Sequence, residues 1–160
     1  MTRSLHGGIF RGMACPFFMP VERLEGGAWL HPSRLPLGDG WRGFCTAASP
    51  DSPKPGEQHL QSFCNLGYAA SCSYLPHDRS ADAVRFSIAR VSDNVIAVRY
   101  VCERDHRPGE HGTLEFVKAE QRWILPHPDS RIQRMAECYL ESYQRKASSS
   151  NSVTASAVVS

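Results

Sequence analysis

Glycine and proline are distributed unevenly along this chain: of 12 glycines and 11 prolines, 18 fall in residues 1–80 and five beyond. Proline removes a backbone donor and fixes φ, and glycine carries a large ordering cost, so a segment this rich in both does not sustain a long helix or a central strand. The first half is therefore expected to be irregular, running through Pro16, Pro20, Pro32, Pro36, Pro50, Pro53, Pro55 and Pro76, with a tight turn at Gly38-Asp39-Gly40. Irregular chain of that length inside a domain needs something other than backbone ladders to hold it.

The second half carries its own periodicity. Val84, Phe86 and Ile88 alternate with Arg85, Ser87 and Ala89, and Ile96, Val98, Tyr100 and Cys102 alternate with Ala97, Arg99 and Val101, the period of strands with one buried face. Ser92-Asp93-Asn94 between them suits a hairpin turn. A loop around Pro108 and Gly109 is expected to lead to a third strand at Leu114–Val117, with a short fourth at Trp123 and Leu125. After Pro126 and Pro128, Ser130 and Gln133 have the form of a capping box, and Ile132, Met135, Ala136, Tyr139, Leu140 and Tyr143 form one helical stripe. The expected fold is α+β: a small antiparallel sheet of three to four strands, a packed C-terminal helix, and a long irregular cysteine-containing N-terminal half.

The cysteines offer the missing restraint. Cys15, Cys45, Cys64 and Cys72 lie in the irregular half, separated by 29, 18 and seven residues, whereas Cys102 continues a buried strand pattern and Cys138 sits near the helical stripe as a small apolar side chain. The first four are set among Phe17, Phe18, Phe44, Phe63, Tyr68 and Tyr74, rings that would shield a centre from water. A helix over residues 64–72 would separate its two sulfurs by about 12 Å, so the segment must turn back, with Gly67 as the place for it. Tetrahedral zinc favours pairs two to four residues apart, and none is present. A cubane holds its thiolates farther apart and accepts ligands from separate loops, and Cys15-Pro16 has the Cys-Pro step found beside ferredoxin clusters. The reading is a 4Fe-4S cluster held by Cys15, Cys45, Cys64 and Cys72, with zinc on the same residues as the alternative cofactor.

Other constellations carry less. His59 and His77 flank the Cys64–Cys72 segment, where either could replace a cysteine ligand or His59 could act as a base toward Cys64. A cysteine nucleophile also needs a lowered pKa and an orienting partner, neither visible in the sequence. His106 and His111 bracket a polar turn, and the remaining histidines are expected to be exposed in loops. Glu22 and Glu25 are expected to cap or solvate a short helix. Nucleophile-elbow, phosphate-loop and zinc-protease motifs are absent, so catalysis is not expected.

Net charge is +2, with arginines interleaved among acids from Asp78 to Arg107, which reads as a mixed solvated face rather than a nucleic-acid footprint. No apolar run is long enough to span a bilayer. Residues 1–18 are broken by Gly7, Gly8 and Gly12 and carry Arg3, His6 and Arg11, unlike a secretory leader. A cytoplasmic location follows as the expectation, where thiols stay reduced and a cysteine-rich chain points to metal. Residues 1–12 are expected to contribute nothing to the fold, Met13 being a plausible start. Residues 13–146 should form one metal-binding domain, and residues 147–160, with six serines and no charge, a disordered tail. Function then reads as a small iron-sulfur protein, its cluster structural or serving electron transfer or redox sensing, with a protein partner. The alternative is a zinc-stapled or metal-free interaction domain.

Overall fold

The alternation in the second half is realised as three long antiparallel strands. In the computed structural model, which describes residues 13–25, 35–47, 55–65 and 72–158, β3 (Ala83–Val91), β4 (Val95–Arg104) and β5 (Arg107–Val117) form a meander, and the short β6 (Arg122–Trp123) adds to its end. Val84, Phe86, Ile96, Val98, Tyr100, Cys102, Leu114 and Phe116 are buried, as their spacing requires. Hydrogen bonds between Ser92 and Val95 close the first hairpin. The second closes one step earlier than proline and glycine suggest. Asp105 and His106 both take positive φ, 51° and 63°, the conformation of a two-residue turn matched to strand twist. Pro108 and Gly109 consequently lie inside β5 rather than in a loop, with Pro108 opposite Glu103. β6 pairs only with Phe116 and Val117, so the first part of β5 is a sheet edge, where a missing N–H is tolerated.

The first half is more regular than its glycine and proline content suggests. β1 (Phe18–Arg23) and β2 (Trp41–Cys45) pair antiparallel as a separate two-stranded sheet, from Phe18 opposite Cys45 to Arg23 opposite Trp41. Local signals hide this ladder because its partners lie 18 to 27 positions apart in sequence and β1 carries both Pro20 and a bulge between Pro20 and Glu22. Gly43 permits the close approach: a Cβ there would stand 2.1 Å from the Met19 carbonyl oxygen. Glu22 lies on β1 and pairs with Arg42, and Glu25 pairs with Arg23, so neither acid belongs to a helix. A short helical segment follows, α1 (Glu57–His59) widening into a π-helical turn at Leu60–Asn65.

α2 (Ser130–Val158) packs its stripe across both sheets. Ile132, Met135, Ala136 and Leu140 are buried, with Tyr139 and Tyr143 against the same core. Its cap is Asp129 rather than Ser130: the Asp129 carboxylate accepts the Arg131 N–H at 2.9 Å, while Gln133 reaches past the cap to accept the His127 N–H. The helix continues through residues 147–158, which composition alone would leave as a loose tail, because extending an existing helix needs no new nucleus. Residues 1–12 lie outside the described residues.

Among the described residues, a backbone bridge and contacts from α2 join the halves. Ala14 exchanges both backbone hydrogen bonds with Val84, placing the entry to the first half against the edge of β3. Arg134 of α2 donates to the Pro20 and Val21 carbonyls, and the turn at Gly38, whose φ is +81°, is tied to α2 through Asp39 to Ser142 and Arg145.

Candidate metal centre

Each of the four first-half cysteines has a different local setting. Cys15 follows the Ala14 bridge and opens a turn, with the Phe18 N–H donating to its carbonyl at 3.1 Å and Pro16 in the position that favours turning. Cys45 ends β2 opposite Phe18. Cys64 lies in the π-helical turn, and Cys72 follows it, its carbonyl accepting the Leu75 N–H at 3.3 Å. Together they line one small pocket, with His59, Phe63, Tyr74 and Leu75 among its walls. The turn expected at Gly67 lies outside the described residues. Cys102 and Cys138 are buried elsewhere, on β4 and α2, and neither borders this pocket.

The environment of the sulfurs is apolar and crowded. Burial pushes the Cys15 thiol up to about 11, and the nearby Cys45 and Cys72 push the same way, while the Phe17 and Phe18 amides aimed at its sulfur partly oppose them. Burial raises Cys64 still further, reinforced by all three neighbouring cysteines. Thiols so placed are protonated and unreactive on their own, which removes Cys64 as an activated nucleophile. Among the described residues, no three histidine, cysteine, aspartate or glutamate side chains stand close enough together to hold a single metal ion.

The surroundings supply positioning groups that residue types alone do not reveal. Asn65 is buried and locks the Cys64 turn to β2: its Oδ1 accepts the Trp41 N–H at 2.8 Å, and its Nδ2 donates to the carbonyls of Trp41 at 3.0 Å and Leu60 at 3.2 Å. Arg131 sits over the Phe17 ring, 5.0 Å from its centroid, and donates to Thr46 Oγ1 at 3.0 Å while Asp129 holds its other edge. It therefore bridges the residues just after Cys15 and Cys45 and keeps a fixed positive charge near Cys15. Adjacency to a cysteine is the only sequence signal for Asn65 or Thr46, because Trp41, which anchors Asn65, and Phe17 and Arg131, which anchor Thr46, are far away in the chain.

The five histidines among the described residues divide three ways, His6 and His31 lying outside them. His59 lines the pocket, stacked on Phe63 with centroids 4.4 Å apart and edge-on to Tyr74, its Nε2 3.1 Å from Cys72 Sγ rather than directed to Cys64. His77, His106 and His111 are exposed. His127 departs from the expected loop exposure. It is buried, its Nδ1 accepts the Asp129 N–H, and its Nε2 consequently carries the proton shared with Glu110 at 2.9 Å. Tyr100 donates to the same Glu110 oxygen. The interleaved charges of the sheet form pairs such as Arg79–Asp82, Arg85–Glu103 and Arg90–Glu115. Among the described residues no helix is long and apolar enough to cross a membrane. Searches of family models, of curated proteins and of solved structures find no match to this chain.

Proposed function

We propose that this protein is a small iron-sulfur protein that carries a 4Fe-4S cluster on Cys15, Cys45, Cys64 and Cys72, in a cytoplasmic setting. The observation that carries the reading is the meeting of these four thiols, and neither of the other two, in one apolar pocket. The donor set suits the group: four thiols supply one ligand to each iron, and aromatic walls limit access of water and oxidant. Four ligands for four irons leave no open coordination position, so the cluster serves structure, electron transfer or redox sensing rather than substrate chemistry.

Zinc on the same residues is the alternative, less favoured because bonds of about 2.3 Å bring zinc-bound sulfurs within about 4 Å of one another and no two of these cysteines have the two-to-four-residue spacing that zinc pairs usually show. An electron-transfer or sensing role implies a protein partner, and Phe44, exposed beside Cys45, offers it an apolar contact. The test is anaerobic purification of the full chain. A brown protein with a broad charge-transfer band, bound iron and acid-labile sulfide supports the reading. A colourless protein with one zinc per chain, or with no metal, overturns it in favour of an interaction domain.

A further inference from the structure

His59 stands closer to the site than its place outside the four-thiol set suggests. Its Nε2 is 3.1 Å from Cys72 Sγ, and it lines the same pocket as the four cysteines. The ring is held in that orientation by the face of Phe63, one helical turn along, and the edge of Tyr74. Imidazole nitrogen is an established alternative to thiolate on iron-sulfur centres.

The four cysteines are unequally secured. Cys15 follows a two-bond backbone bridge and its carbonyl accepts the Phe18 N–H; Cys45 terminates a paired strand; Cys64 is flanked by the Asn65 lock. Cys72 belongs to no strand or helix, is only half-buried, and among the described residues its one backbone hydrogen bond is the 3.3 Å contact from Leu75.

We infer that His59 is a reserve ligand for the iron bound by Cys72, so that this corner of the site can exchange thiolate for imidazole. The inference rests on the iron-sulfur reading above. In the exchange the iron–sulfur bond to Cys72 breaks and the thiolate leaves with the bonding pair. The neutral imidazole supplies the pair for the new iron–nitrogen bond, and no electron enters or leaves the cluster. Replacing an anionic ligand by a neutral one raises the reduction potential, so the exchange would give one protein two potentials.

The test is anaerobic reconstitution of the full chain with iron and sulfide, comparing wild type with single alanine variants of the four cysteines, Cys72→Ser, and the double variant Cys72→Ala/His59→Ala. Circular dichroism confirms that each is folded. Cys72→Ala and Cys72→Ser are expected to retain most of the wild-type iron and to show nitrogen hyperfine coupling by pulsed electron paramagnetic resonance after reduction. Cys15→Ala, Cys45→Ala, Cys64→Ala and the double variant are expected to lose the cluster. If Cys72→Ala and Cys72→Ser lose iron as completely as Cys64→Ala, or keep it without nitrogen coupling, the reserve-ligand role is overturned while the four-cysteine reading stands. A wild-type chain that takes up no iron overturns the iron-sulfur reading itself, and the inference with it.

Discussion

Asn65→Leu should destabilise the protein by about 2–4 kcal/mol although it keeps the branched shape of the side chain. Asn65 makes three hydrogen bonds in a site that is 3% exposed, one accepted from Trp41 N–H and two donated to the Trp41 and Leu60 carbonyls. A neutral hydrogen bond contributes about 1 kcal/mol net, and a buried donor left without a partner costs about 1–3 kcal/mol. Leucine forfeits all three bonds and strands the Trp41 N–H, with the extra apolar burial offsetting only part. The assay is urea unfolding of the full metal-free chain: the midpoint should fall with an unchanged slope, the mark of lost stability rather than altered compactness. Asn65→Asp should be no rescue. It keeps the acceptor for Trp41 N–H but sets a carboxylate oxygen against two carbonyl oxygens. A cost below about 1 kcal/mol for leucine, or wild-type stability for aspartate, would refute the claim that this side chain ties the Cys64 turn to β2.

Asp39 should contribute to acid sensitivity. Burial pushes its carboxyl up, but hydrogen bonds from Ser142 and Arg145 outweigh this and hold it below the ordinary 3.8. A depressed folded value means its stabilisation is present above the unfolded pKa and is lost as pH falls through the folded one, so Asp39→Asn should lower stability at neutral pH and flatten the acid limb below about pH 4. An unchanged acid limb in pH-dependent thermal unfolding would refute this. Cys102→Ala should cost of order 1 kcal/mol, because a buried thiol is a small apolar group, and should leave metal content unchanged; loss of metal in elemental analysis would move the ligand set to β4. If the chain binds the proposed cluster, removing it should expose the amides of residues 13–17, 55–65 and 72–76 to hydrogen exchange while β3, β4, β5 and the first turns of α2 keep their protection. Equal protection across both groups would show that the metal does not organise those segments.

The strands of the second half and the stripe of α2 were legible because their information is local. A two-residue period from Val84 to Cys102 and a helical period from Ile132 to Tyr143 state which faces are buried, and the buried residues follow them, with an exception at Ala97, which is buried on the opposite face of β4. Residue type and burial of Cys102 and Cys138 were legible for the same reason. Local rules failed where a distant partner decides conformation. Pro108 and Gly109 read as a loop until the Asp105-His106 turn and the free edge of β5 make room for them in a strand. Pro20 reads as a break until Gly43 lets β2 come close. His127 reads as an exposed loop residue until Glu110 and the Asp129 amide give both ring nitrogens partners, allowing it to be buried.

For the candidate site the division is similar. The sequence by itself determined the inventory, four cysteines with aromatic neighbours in the half of the chain poorest in long regular structure, and separated them from two that belong to a strand and a helix. Spacing in the chain could not say whether four side chains spread over 57 positions meet. Only the tertiary structure decided that they line one pocket, that the Phe17 and Phe18 amides and the Arg131 guanidinium approach Cys15, that Asn65 locks the turn bearing Cys64, and that His59 faces Cys72. The physical reason is that hydrogen-bond reach and electrostatic proximity are short-ranged in space but unrestricted along the chain, so they exist only once β1 pairs with β2 and α2 closes over both.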